Sequence, residues 1–318
     1  LKLLFFFDPH TDSQAPASRI DNYEDTCFLK FEELSQIAKK EGCSYILCSG
    51  DFFNRKGNRV SHKLIARSAD FFSNISTPFL TISGNHDQFG GDPNTIWDQP
   101  LGVLARAANF KILQKEDVTQ LDEDTFLTAA PYHAGIDVTP ADYFPERPDK
   151  AKVHIHLSHG SLIPYKPIWA PYTLYSALKG CKADYVLNGH IHDAFPVEIV
   201  GNTKIINPGS LTRGSLTEAN INRPVSVVIL DTATKEVKYV PLKSAMPADR
   251  IFDLVRYKEL DQAERELDSL GALIKMEAGN VELSGPEGIR LLVKEMKSLK
   301  EPVRSKIFEL LDRAEEAI

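Results

Sequence analysis

The 318-residue chain contains no apolar run approaching the ~20 residues that cross a bilayer, so no membrane span is expected. Its opening apolar stretch, Leu3 to Phe7, is too short for a secretory signal core and runs straight into an aspartate and a histidine. The four cysteines, Cys27, Cys43, Cys48 and Cys181, form no Cys-x-x-C pair. Thiolate zinc frames and dithiol redox motifs are thereby disfavoured, and buried free thiols in a reducing, cytoplasmic setting are expected. An excess of positive charge is lacking too, with 37 Lys and Arg against 44 Asp and Glu, a net charge of −7. Non-specific DNA affinity comes mainly from cationic side chains on phosphates, so a strong autonomous nucleic-acid binder is not expected. A nuclease is still allowed, because carboxylates at a metal site count as negative and bound cations offset them. There is no internal repeat and no low-complexity tract.

What the chain does have is a recurring layout. Leu3 to Phe7 ends in Asp8-Pro9-His10, and Tyr45 to Cys48 ends in Gly50-Asp51. Thr77 to Ile82 ends in Gly84-Asn85-His86-Asp87. Val153 to Leu157 ends in His159-Gly160, and Tyr185 to Leu187 ends in Gly189-His190-Ile191-His192. Five short apolar runs each deliver Asp, Asn or His at the C-terminal end.

Read in order, the chain alternates. A strand to Phe7 precedes a helix capped at Asp21 or Asn22, running to about Lys40 and stopped by Gly42. A strand at 44–48, a helix at 61–73 and a strand at 77–82 follow. This β-α-β-α-β order, apolar on both strand faces, predicts a parallel sheet covered by helices. Residues 94–107 read as helix, 111–113 and 124–129 as strands around the acidic turn 121–124, and 134–150 as a loop able to act as a flap. A loop at 164–171 and a short helix at 172–179 come next. Short strands at 196–200, 203–206, 225–230 and 237–241 suit a second, antiparallel sheet, and so a β-sandwich flanked by helices. A linker at Ser244 to Ala248 divides residues 1–245 from a charged α+β appendage, 246–318, with helices at 260–270, 288–299 and 302–317 and a strand at 280–283.

Ligands of open α/β sheets collect at the carboxyl ends of strands. Asp8, His10, Asp51, Asn85, His159, His190 and His192 would therefore meet in one volume. Seven donors exceed the needs of one ion, and two ions can share them if Asp51 bridges. Both side chains of Asp-x-His and His-x-His face one way in extended chain and can reach a common site. Carboxylate and imidazole without thiolate suit Mn, Fe or Zn. His86, next to Asn85, is placed to face the substrate as proton donor or charge stabiliser, with Asp87 in support behind it. His154 and His156 share one strand face and read as satisfied sheet residues; His62, at a helix start, and His133 read as non-catalytic. Any one of the five motifs alone is more often a turn than a site; all five together are not.

As a set, these residues resemble the signature of the calcineurin-like metallophosphoesterases over about the first 245 residues. The resemblance implies a four-layered αββα sandwich carrying the small C-terminal α+β appendage. It assigns Asp8, His10, Asp51 and His192 to one metal, and Asp51, Asn85, His159 and His190 to the other. It makes His86 the proton donor or phosphate-facing residue, with a hydroxide bridging the ions as nucleophile. Within that superfamily the early Asp-x-His, the long first helix, Gly50-Asp51-Phe52-Phe53 and the charged appendage resemble the SbcD-type DNA-repair exonucleases, phage versions included. That branch implies manganese, DNA as substrate, an SbcC-type ATPase partner and a homodimer. The branch commonly has histidine three residues after the bridging aspartate; this chain has Asn54.

Three functions are then in contention. A Mn-dependent DNA exo/endonuclease would use the basic loop Arg55-Lys56-Gly57-Asn58-Arg59, and Arg213, on a phosphate backbone. A small-molecule phosphomonoesterase or phosphodiesterase fits the acidic net charge. A non-enzymatic scaffold would have no reason to keep every donor.

Overall fold

Strand β1 (Lys2–Phe6) is buried on both faces, and the residues show why. Leu3, Phe5 and Phe7 enter one apolar cluster, whereas Leu4 and Phe6 enter another. Extended chain alternates its side chains, so a run apolar at every position must be covered twice.

The computed structural model describes residues 1–108, 110–169, 171–255, 257, 258, 290, 293, 294 and 300–315. It divides into two compact units, Leu1–Phe252 and Asp253–Ile318. In the first unit, β1 lies parallel to β2 (Tyr45–Cys48), which is followed in the same sense by β3 (Phe79–Thr81) and β4 (Phe110–Ile112). Helices α1 (Tyr23–Glu41), α2 (His62–Ser73) and α3 (Pro100–Ala107) supply the crossovers. Asn22 caps α1 by accepting from the Asp25 amide, and Gly42 ends it at φ 70°, a left-handed turn that suits glycine. Ser61 caps α2 through the Leu64 amide.

The second sheet runs β11 (Ala194–Val200), β12 (Thr203–Pro208), β10 (Tyr185–Gly189), β7 (Val153–His159), β6 (Thr125–Ala130), β5 (Val118–Gln120). The two sheets face each other across Leu3, Phe5, Leu47, Leu80, Leu127, Ile155, Leu157 and Leu187. Helices α1, α2 and α3 cover the outside of the first sheet; Tyr143, Leu162, Tyr175 and Leu178 cover the outside of the second. This is the αββα sandwich, its fourth layer built from 3-10 turns (Pro140–Tyr143, Tyr175–Leu178) and the small ladder of β8 (Leu162–Ile163) and β9 (Thr173–Leu174).

Several expectations are corrected. The second sheet is mixed rather than antiparallel: β6, β7, β10 and β12 run parallel, while β11 pairs antiparallel with β12, as expected of 196–200 and 203–206, and β5 with β6. The late strands β13 (Ser226–Asp231) and β14 (Glu236–Pro241) join the first sheet instead, β13 antiparallel to β1. Val227 and Ile229 lie in the helix-side cluster and Val228 and Leu230 in the cluster between sheets, so β13 needs cover on both faces and finds it there. The acidic turn 121–124 joins β5 to β6, while β4 belongs to the other sheet; β5 is three residues long and largely exposed and gives little strand signal. Residues 172–179 form no α-helix, because Tyr175 and Leu178 bury at the three-residue spacing of a 3-10 turn. The flap expected at 134–150 is tied down. Buried Tyr143 donates to Asp137 Oδ1 (2.9 Å), and Asp137 Oδ2 accepts from the Ser161 amide (2.7 Å).

The linker segment also packs on the first unit. Glu33 accepts from the amides of Lys243 and Ser244, and Phe252 pairs with Arg19 beyond α4 (Glu218–Asn222) and α5 (Ala248–Ile251). In the second unit, α6 (Glu301–Glu315) presents Val303, Ile307 and Leu311 at helical spacing to Val293. The helix expected at 260–270 and the strand at 280–283 lie outside the described residues, as does 288–299 apart from 290, 293 and 294.

Candidate metal centre

All the strand ends named above that carry donors belong to parallel strands of the two sheets, and their carboxyl ends meet along one edge of the sandwich. Asp8 follows β1, Asp51 follows β2, Asn85 and His86 follow β3, His159 closes β7, and His190 and His192 follow β10. Asp8, Asp51 and His159 are buried and form the floor; Asn85, His86, His190 and His192 are half-buried and line the open side.

The donors fall into groups whose ligating atoms lie within 4.8 Å of one another: Asp8, His10 and His192; Asp51, His159 and His190; and His10, Asp51 and His86. Asp51 Oδ2 stands 3.6 Å from His10 Nε2 and 3.5 Å from His159 Nε2, facing both of the first two groups. Asn85 Oδ1 lies 3.2 Å from His159 Nε2 and 3.0 Å from His190 Nδ1. The His-x-His pair diverges, one ring to each group, rather than converging as extended chain would make it. The backbone explains this. Asp8, His10, Asp51 and His190 have φ of 47°, 44°, 49° and 83°, and Lys235 is the one other non-glycine at positive φ among the described residues. Left-handed backbone costs an L-residue about 1–2 kcal/mol. Four such residues at one place indicate conformations held by the surrounding fold for the sake of the side chains. Bonds from the His10 amide to Asp51 O (3.0 Å) and from the His190 amide to Asp8 Oδ2 (2.9 Å) hold them.

Donor chemistry tests whether cations fit. His159 Nδ1 donates to Ser49 O at 2.5 Å, which leaves a lone pair on the Nε2 of the neutral ring. That lone pair faces the oxygens of Asn85 and Asp51. Asp8 Oδ1 is buried with no hydrogen-bond partner. Acceptors converging on acceptors suit a cation between them. Charge agrees: burial pushes the Asp8 carboxyl well above its usual range, with Asp51 adding to the rise, and burial together with Asp51 lifts Asp87 to about 7. Burial works against charge on His159, yet Asp51 and Asp8 raise it to about 9, so that with no cation bound a proton takes the Nε2 lone pair that a cation would claim from the neutral ring. Burial lowers His190 to about 3 and His192 to about 4. A pocket that crowds carboxylates and keeps outer imidazoles neutral is built for divalent ions.

Supporting residues complete the frame. Asp87 accepts from the amides of Phe52 (3.0 Å), Phe53 (3.4 Å) and Gly84 (2.9 Å), joining the β2 loop to the β3 loop. Phe52 stacks on Phe31 (5.6 Å, 3°), anchoring Asp51 to α1. At Gly84 any Cβ would collide with the Asp51 carboxylate, so glycine is required there. Ser49, whose carbonyl orients His159, and Tyr132, tilted over the His190 ring at 5.8 Å, were not singled out from the sequence. A backbone acceptor carries no sequence signal.

The remaining sequence expectations sort cleanly. Thr128 Oγ1 bonds both His154 (2.8 Å) and His156 (2.9 Å), inside the second sheet's outer layer. His62 opens α2, and His133 pairs with Asp142. Arg213 is not available to a phosphate backbone: it is buried and donates to the carbonyls of Asn220 and Met246.

The family model described as calcineurin-like phosphoesterase matches residues 1–194. The chain belongs to that family. It is a hydrolase of phosphate esters, and metallophosphoesterases work with a dinuclear divalent-metal site. Among curated proteins it is similar to the double-strand break repair protein MRE11 of Encephalitozoon cuniculi (strain GB-M1), at 23% identity over 85% of this chain and 52% of the relative. The phosphoesterase chain thus spans about half the length of that protein. Among solved structures it is similar to an archaeal phosphodiesterase (TM-score 0.42, 19% identity, 76% of this chain and 100% of that one). Another is YfcE, a phosphoesterase from E. coli (TM-score 0.38, 15% identity, 76% and 100%).

Proposed function

We propose that this phosphoesterase is a DNA nuclease that hydrolyses phosphodiester bonds with two manganese ions. Asp8, His10, Asp51 and His192 would hold one ion, and Asp51, Asn85, His159 and His190 the other. The ions, when bound, supply Lewis-acid charge against the phosphoryl oxygens. The chain's own residues do the rest. Ser49 fixes the His159 tautomer, and Asp87 ties the Asp51 loop to the Asn85 loop. His86 Nδ1 donates to the Asn54 carbonyl at 2.7 Å, so its Nε2 is the free ring atom. In the imidazolium form that atom hands a proton to the leaving oxygen, while water attacks phosphorus from the opposite side.

The observation that carries the reading is the placement of His86. Its ring meets His10 edge to face at 4.7 Å on the open side of the centre, beside both groups of donors. DNA as substrate is supported by the similarity to a double-strand break repair protein; an SbcC-type ATPase subunit as partner and a homodimer are proposed from the resemblance to the SbcD-type branch alone. The test is to supply the purified protein with Mn and offer labelled linear duplex, hairpin DNA and bis-p-nitrophenyl phosphate. Cleavage of DNA is expected. Turnover of the small ester alone would leave a small-molecule phosphodiesterase, the reading that the net charge of −7 favours. No turnover with metal bound would leave a scaffold.

A further inference from the structure

A cavity of about 470 Å³ opens directly beside His86. Arg55, Lys56 and Arg59 contribute three cations, and the nine lining residues include no carboxylate. In a chain of net charge −7 this is a local reversal of sign. Lys56 and Arg59 are exposed, and among the described residues neither makes an ion pair. Arg55 is fixed: it bonds Asp12 at 2.9 Å and Gln14 at 2.6 Å. Gln99 pins the loop by accepting from the Gly57 amide (3.1 Å).

The cavity's other wall is aromatic. Phe89 lies three residues after His86 with 69% of its surface exposed, which is costly for a phenyl ring without a partner. Its backbone is not loose. The Phe89 amide donates to Thr95 Oγ1 (2.8 Å), and the Asp92 amide donates to the Phe89 carbonyl (3.1 Å). The ring is held outward by a short, closed turn. A flat apolar face, cations and amides around one cavity match the parts of a nucleotide: base, phosphate and base edge.

Resting on the nuclease reading above, we infer that this cavity seats the nucleotide on the leaving-group side of the scissile phosphate, its base stacked on Phe89 and its onward phosphate held by Lys56 and Arg59. The side follows from His86: the residue that protonates the leaving oxygen must stand on the leaving side, and the cavity opens on that same residue.

Binding without metal tests this apart from catalysis. A fluorescein-labelled oligothymidylate and an abasic deoxyribose-phosphate strand of equal length are titrated onto the full chain in EDTA. One stacked base is worth ~1–3 kcal/mol, so the thymidylate should bind roughly 5- to 150-fold tighter. Phe89→Ala should abolish that preference and Phe89→Trp should keep it. Lys56→Gln and Arg59→Gln should weaken both strands alike and flatten the salt dependence. Equal binding of the two strands, no binding of either, or a preference unmoved in Phe89→Ala overturns the proposal. A Phe89-dependent preference in a protein that cuts no DNA sinks the nuclease reading and leaves the cavity as a nucleotide site. DNA cleavage with a preference indifferent to Phe89 does the reverse.

Discussion

The imidazole Nδ1 of His86 lies 2.7 Å from the backbone oxygen of Asn54. The acceptor is main chain, so it survives whatever side chain stands at position 54. The Asn54 amide itself turns away and donates to Asp12 at 3.0 Å, the same carboxylate that holds Arg55. Ring orientation at His86 and the posture of the basic loop therefore run through one short segment, 54–55. His86→Ala should lower Mn-dependent turnover by about 10²-fold or more, the usual worth of a proton donor, with metal content intact. Metal analysis of the gel-filtered variant beside its rate decides this. Because His86 also joins His10 and Asp51 in one donor group, loss of metal would reassign it as a ligand. Asn54→Ala should retain most of the activity that His86→Ala loses.

Asp87 offers a second prediction. Its carboxylate collects three amides from two different strand ends, Phe52, Phe53 and Gly84. Asparagine has one acceptor oxygen and puts an NH₂ where the other was, so at least one buried amide loses its acceptor. Asp87→Asn should cost about 1–3 kcal/mol in urea unfolding. It should also weaken metal binding, because Gly84 and Phe52 adjoin Asn85 and Asp51. A variant as stable as the parent, with unchanged metal affinity, would mean that the two loops are held by other contacts.

The β1–β3 half of the first sheet was legible in the sequence because its rules are local. Asn22, Gly42 and Ser61 are caps, and apolar runs such as Leu3 to Phe7 announce two-sided burial. The donors were legible because all of them stand at the ends of such runs. What the chain order could not convey was long-range choice. Nothing in Val225 to Leu230 says that β13 lies beside β1, more than two hundred residues away, rather than beside β12. Nor could it convey backbone roles: the carbonyls of Ser49 and Asn54 orient two site histidines, and any residue type supplies a carbonyl. The left-handed turns at Asp8, His10, Asp51 and His190 were hidden for the same reason, since tertiary bonds, not residue preference, hold them.

His156 gives a pH prediction away from the metal centre. It is buried, and its Nε2 donates to the Asp142 carbonyl at 2.9 Å. Burial lowers its pKa to about 4, against an ordinary value near 6.5. Between those values the unfolded chain takes up a proton that the folded one refuses. Stability is therefore fully present above about pH 6.5 and falls as pH drops toward 4, by up to about 3 kcal/mol for this group. His154, lowered by burial to about 4, acts in the same direction, so the wild type alone cannot isolate it. His156→Gln keeps an N–H for Asp142 but cannot titrate. Urea midpoints measured at pH 7 and pH 5 in EDTA should fall further in the wild type than in His156→Gln. Parallel falls would mean that His156 titrates alike in the folded and unfolded chain, and a smaller fall in the wild type that the Thr128–His156–Asp142 chain stabilises a charged ring.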